Sequence, residues 1–359
     1  LGAYGDRGGG GALAAPHDRI SLGELFLALG RPDEASRQYE LAVLISHAIA
    51  AAQPDSLLAK NDLFLSAIGL GGVQMMLHNP ANARQIARTA LAAAEARAVA
   101  DPKNAALRRD VARCHELTVQ ASVALHDLSA ARAAAEQLVA TVEGYAKAGA
   151  NDLNSSFDLA NGYIIRGGVE RLDHAFDVAL PWYDRALAVL RPLNAAGKLA
   201  PYPLEVTRLE EAERTARECR DTLKAVGDVN FALKERGGET SRRLLVWRAE
   251  ALAHRGRTAD AAATAEMVRA LRPDDGANRY DVACCYALCM PVAKEPAARA
   301  DYAARALEEL HAAAARGYGD VGKIESDPDL DGLHGEAGYR GFITGLKARR
   351  LGLTLRVLP

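Results

Sequence analysis

The stretch "GLGGVQ", residues 69–74, has two competing readings. A G-x-G pair opens dinucleotide-binding loops, where the backbone turns tightly against a pyrophosphate. The same small residues also let two helix axes approach closely. A dinucleotide loop needs a strand before it, a third glycine after it and an acidic residue about 20 positions further on. Here Gln74 stands in place of the third glycine, and the flanking residues keep a helical register. The stretch therefore reads as a helix-packing surface.

Outward from Gly71, small residues return on a beat of 48 positions. Ala35, Ala83, Ala131 and Ala179 share it, as do Gly23, Gly71, Val119 and Gly167 upstream of them. Four residues after each alanine stand Tyr39, Ala87, Ala135 and Tyr183, and three further on Ala42, Ala90, Leu138 and Ala186. These offsets lie on one face of a helix. Turn signals divide each unit in two: "GRPD" (30–33), "HNPAN" (78–82) and "HDLS" (126–129). Asn79 before Pro80, and Asp101 before Pro102, read as N-caps followed by proline at the first helical position. Each unit is thus two antiparallel helices of roughly 20 residues, about 30 Å long.

Composition agrees. Hydrophobic residues make up 49% of the 359, but aromatics only 5%, which suits closely packed helices better than sheets. Lys plus Arg number 44 against 46 Asp plus Glu, a net charge of −2, so there is no electrostatic footprint for nucleic acid. The most apolar run, "LAVLISHAIAAA" (41–52), is too short to span a membrane. Five scattered cysteines, an odd number, argue for reduced thiols in a cytoplasmic setting. The Gly-rich start, residues 1–15, reads as a flexible tether; the lack of an initial Met suggests a piece of a longer chain.

This pattern resembles the tetratricopeptide repeat family. Gly23, Phe26, Ala35, Tyr39 and Ala42 match its small and aromatic positions in the first unit. The fourth unit keeps Gly167, Ala179, Tyr183 and Ala186 but has Glu170 at the first aromatic place, where units two and three have Gln74 and Ser122. The family's unit is about 34 residues, so these helices are extended. Residues 244–276 fit the ordinary length, with Ala249, Leu252, Ala261, Ala265 and Pro273 in place. The resemblance implies an all-α, right-handed α-solenoid of antiparallel helix pairs. Its divisions are four repeats over residues 16–196, an irregular helical linker over 197–240, and C-terminal repeats with a cap over 241–359. Segments such as "ALGRPDEA", "NRYDVACCYALC" and "DPDLDGLHGEAGYRGFI" further resemble the C-terminal repeat region of planctomycete-type bacterial serine/threonine kinases. That implies a kinase domain upstream, but none of the kinase motifs lies in this chain.

In the resembling family the first helices line a concave groove for a peptide or protein ligand. By register this gives Ile20, Glu24 and Leu27, then Ile68, Met75 and Met76, then Arg113, Glu116 and Gln120, and finally Ile164 and Arg171. Ile20 and Glu24 stand where the family's chaperone-tail clamp has lysine and asparagine, which argues against that ligand. Gly23, Ala35, Tyr39, Gly71, Ala83, Ala131, Gly167, Ala179 and Tyr183 are the expected packing positions.

Chemistry-bearing motifs are sparse. "DPDLDG" (327–332) imitates a calcium loop, but its twelfth position is Gly338 and Pro328 stiffens its second, so capping aspartates are expected. Cys284, Cys285 and Cys289 lack the spacing of a tetrahedral metal set. "CHELT" (114–118) lacks the second histidine of a zinc protease motif. "HRG" (254–256) aligns with the "LGR" turn of the first unit. The expectation is a binding scaffold with no catalytic residue, metal or cofactor. The alternative is an enzyme with its site in residues 197–240 or near the three cysteines.

Overall fold

The computed structural model describes residues 15–148, 152–234 and 238–350. The expected tether falls almost wholly outside them. Among the described residues the chain is helical throughout, with no strand. It forms α1 (Pro16–Ala28), α2 (Pro32–Ala52), α3 (Leu57–Met76), α4 (Pro80–Ala100), α5 (Ala105–Ala124), α6 (Leu128–Ala148) and α7 (Leu153–Leu172). Then follow α8 (Phe176–Ala195), α9 (Pro203–Gly227), α10 (Val229–Lys234), α11 (Glu239–His254), α12 (Thr258–Leu271), α13 (Gly276–Cys289) and α14 (Pro296–Ala315). A short α15 (Val321–Ser326), a 3-10 turn (Pro328–Leu333) and α16 (Ala337–Arg350) complete it.

This is an α-solenoid of tetratricopeptide-like helix pairs, read directly from the packing. Consecutive helices joined by tight turns lie against each other, and α1, α3 and α5 also touch as a layer of first helices. Helices α2 to α8 are 20 or 21 residues long, whereas α11 to α13 have 16, 14 and 14. The contacts divide the chain into two compact units, Leu1–Val169 and Glu170–Pro359.

Ala35, Ala83, Ala131 and Ala179 are wholly buried, and Tyr39 and Tyr183 nearly so. The glycines of the first repeats make room for particular neighbours. A Cβ on Gly23 would stand 2.7 Å from the Tyr39 ring, and one on Gly69 would stand 2.4 Å from its other edge. Tyr39 of α2 is thus held between α1 and α3. Gly71 makes room for Leu117 of the next first helix, at 2.4 Å. "GLGGVQ" accordingly lies within the C-terminal half of α3.

Of the two expected caps, Asn79 with Pro80 holds in position and Asp101 with Pro102 is corrected. Asn79 precedes α4, but its side chain donates to Gln74 Oε1 (3.0 Å) and leaves the helix uncapped by it. Pro102 lies in a turn; α5 begins at Ala105, and Asn104 Oδ1 accepts from Ala106 N–H (3.1 Å). Asp101 is instead the C-cap of α4, its N–H bonding to the Arg97 carbonyl (3.2 Å), so the Asp101–Pro102 step ends one helix and leaves the next to begin after the turn.

The turns inside the pairs share one backbone solution. Gly30 has φ 70°, and His78, His126 and His174 follow at the same 48-residue beat with φ 55°, 57° and 55°. In each, the following N–H bonds back to a carbonyl five residues earlier: Arg31 to Phe26, Asn79 to Gln74, Asp127 to Ser122 and Ala175 to Glu170. These are Schellman endings, which need one left-handed residue after the first helix.

Candidate docking surface and a buried charged cluster

In the first unit, the register-predicted groove residues separate by burial. Glu24, Met76, Arg113 and Gln120 are exposed, while Leu27, Ile68, Met75, Glu116 and Ile164 are half-buried. Ile20 is not on the open surface. It packs with Ala35, Tyr39 and Leu70 in the core, because it lies on the same side of α1 as Gly23. Arg113 lies 5.9 Å from the Phe64 ring centroid, so a charge from α5 caps an aromatic ring on α3. Glu116 and Gln120 are joined side chain to side chain (3.4 Å). Arg171, half-buried, belongs to the second unit.

Gln74 occupies a place where the repeat pattern has an aromatic, and it builds a polar thread instead. Asn79 donates to Gln74, Gln74 Nε2 donates to Ser36 Oγ (2.9 Å), and Ser36 donates to Glu40 (2.9 Å). The thread floors a cleft of about 560 Å³ with Asp33, Glu34 and Arg37 on its walls.

The second unit holds a feature with no signal in the local sequence. His174, at its left-handed turn, places Nδ1 3.3 Å from Glu250 of α11 and Nε2 2.9 Å from Asp329 of the 3-10 turn. All three side chains are less than one-fifth exposed. Burial works against a charged imidazole, but the two carboxylates more than offset it and raise the His174 pKa to about 10. Burial pushes the Glu250 carboxyl upward, opposed by His174. A raised histidine pKa stabilises fully below the unfolded value of about 6.5 and loses that contribution as pH climbs toward 10. We therefore expect the His174 ring, followed by NMR in chelator-treated protein, to remain imidazolium through neutrality. A midpoint near 6.5 would show that the carboxylates do not grip it.

Next to Asp329, the Asp327 side chain caps the 3-10 turn, accepting from Asp329 N–H (3.1 Å), and takes the Tyr280 hydroxyl on its other oxygen. Cys284 of α13 brings its sulfur within 4.8 Å of the carboxylate oxygens of both aspartates. Cys285 and Cys289 are buried elsewhere on α13, and Cys289 donates to the Cys285 carbonyl (3.3 Å). All five cysteines are free and buried. Burial raises every thiol: Cys114 and Cys289 to about 12, Cys219 to about 11, Cys284 and Cys285 well above the ordinary range. None is poised as a thiolate nucleophile.

The described residues of 197–240 comprise a turn, α9, α10 and the start of α11. A cleft of about 210 Å³ there is lined by Arg214, Arg217, Glu218, Asp221, Arg243 and Trp247, with the Arg243 guanidinium 4.9 Å over the Trp247 ring. Its lining also includes the Thr240 hydroxyl beside the carboxylates of Glu218 and Asp221, with no histidine, cysteine or serine among them.

Sequence reasoning missed His174 and Glu250. One signal was available: His174 stands three beats after Gly30, at a place where the turn requires a left-handed residue.

No protein-family model matches the chain, and comparison with curated proteins gives no match. Solved structures do resemble it. The apo form of RapI is 12% identical, with 83% of this chain and 98% of that one covered, at a TM-score of 0.42. The P58(IPK) TPR domain is 12% identical over 93% and 99%, at 0.21, and yeast Tom70 11% identical over 94% and 96%, at 0.24. All three scores lie below 0.5, so the fold rests on the helix packing of this chain itself.

Proposed function

We propose that the chain is a non-catalytic scaffold that docks a protein or peptide segment along the first-helix layer of its first unit. One observation carries this reading. Leu25 of α1, Leu29 just after it and Met76 of α3 are each more than half exposed, and the same layer of first helices carries exposed Glu24 on α1 and Arg113 on α5. Apolar anchors interspersed with charge fit a partner having both, the composition of an interface core with its polar rim. Peptides selected from a random library on the immobilised chain should lose at least tenfold in affinity on Arg113→Glu or Met76→Ser. Affinities unchanged by both substitutions would overturn the reading.

The enzyme alternative has less behind it: the cleft beside α9 offers the carboxylates of Glu218 and Asp221 without a histidine or cysteine beside them, and burial raises every cysteine. We read the array as the interaction arm of a larger bacterial signalling protein, such as a serine/threonine kinase, on the strength of the repeat resemblance alone. The coding sequence upstream of Leu1 tests it. A reducing, cytoplasmic setting is supported by the buried free thiols.

A further inference from the structure

The "DPDLDG" turn and the cysteine-bearing helix are each unremarkable as sequence, and each lacks a complete ligand set. Folding brings them together. Cys284, only 4% exposed, has no hydrogen-bond partner among the described residues, and its sulfur faces the Asp327 and Asp329 carboxylates within 4.8 Å. The carboxylates are already oriented: Asp327 by the Tyr280 hydroxyl and the Asp329 N–H, Asp329 by His174, and His174 in turn by Glu250. Each ionised carboxylate has about four acceptor directions, so both retain lone pairs for the space they share with the thiol.

We propose that Cys284, Asp327 and Asp329 form a binding site for a divalent transition-metal ion of the zinc class. His174 and Glu250 act on it as positioning residues through Asp329, in the way that outer partners orient metal-binding side chains. Sulfur with two oxygens suits four-coordinate zinc, water taking the fourth place; calcium demands six to eight oxygens. Tetrahedral zinc holds sulfur and oxygen about 3.5 Å apart, so the three groups close in modestly on binding. The metal–sulfur bond forms as the thiol proton leaves to solvent. The ion then joins the Pro328–Leu333 turn to α13, fixing the C-terminal cap.

The test uses the full chain, stripped with a chelator and titrated with cobalt(II), then zinc(II). We expect a thiolate-to-cobalt charge-transfer band in the near ultraviolet, erased by stoichiometric zinc. Cys284→Ser should abolish the band, and Cys284→Ser and Asp329→Asn should each weaken zinc at least tenfold, with Cys289→Ser unchanged. A cobalt complex without the thiolate band, or equal zinc affinity in wild type and Cys284→Ser, overturns the site. Should a variant lose its helical circular dichroism, the wild-type cobalt spectrum decides alone.

Discussion

A Gly69→Leu protein should denature at markedly lower temperature and urea concentration than wild type, with a loss of about 3 kcal/mol, while Gly72→Ala gains up to about 1 kcal/mol. Both substitutions fall within α3, and both exchange glycine for a better helix former. What separates them is the neighbour. A Cβ at Gly69 would lie 2.4 Å from Tyr39 Cε1, inside the contact distance of any carbon pair. Tyr39 cannot swing aside, because its ring is 3% exposed and Gly23 closes the opposite edge at 2.7 Å. The larger side chain must push α1 or α3 outward, and overpacking of this kind outweighs the helical gain. At Gly72 nothing lies within 4 Å, so only the backbone benefit remains. Gly23→Leu should follow Gly69→Leu. Equal midpoints for Gly69→Leu and wild type would refute the wedge.

Substituting glycine for the turn histidines should split just as sharply. His78 and His126 are exposed and hold φ 55° and 57°, a conformation that strains a residue with a Cβ. Glycine at either place relieves that strain, raising stability by up to about 1 kcal/mol after its greater freedom in the unfolded chain is counted. His174 has the same backbone but a different side-chain environment. Its removal leaves Glu250 and Asp329 as neighbouring, mostly buried carboxylates without their shared cation. Stranding buried charges in this way costs on the order of 3 kcal/mol, well beyond the relieved strain. Denaturant titrations of the three variants in metal-free buffer measure the contrast. A stabilised His174→Gly protein would mean that the cluster contributes nothing to the fold.

The helix pairs were legible because packing by small residues is a local, periodic demand. Ala35, Ala83, Ala131 and Ala179 repeat since each faces the same kind of neighbour, and a single sequence records that as spacing. The left-handed turns follow the same beat, yet histidine is an unusual choice there, so composition hid what position disclosed. Register alone puts Ile20 on the groove, whereas its burial depends on how α1 is turned against α2 and α3. The charged cluster was beyond reach for a different reason. His174 and Asp329 are 155 residues apart, and no periodicity links a turn, a repeat helix and a terminal cap.

Tyr39 has a further consequence for how the molecule comes apart. Its ring is housed half by its own repeat and half by the next, so the N-terminal hairpin cannot peel away without opening a void beside Gly69. In a linear array, where stability is shared between repeats and the seams between them, such a side chain stiffens the seam over its own hairpin. Fraying from that end is thereby tied to the loosening of the second repeat, and the first two open and close as one cooperative block.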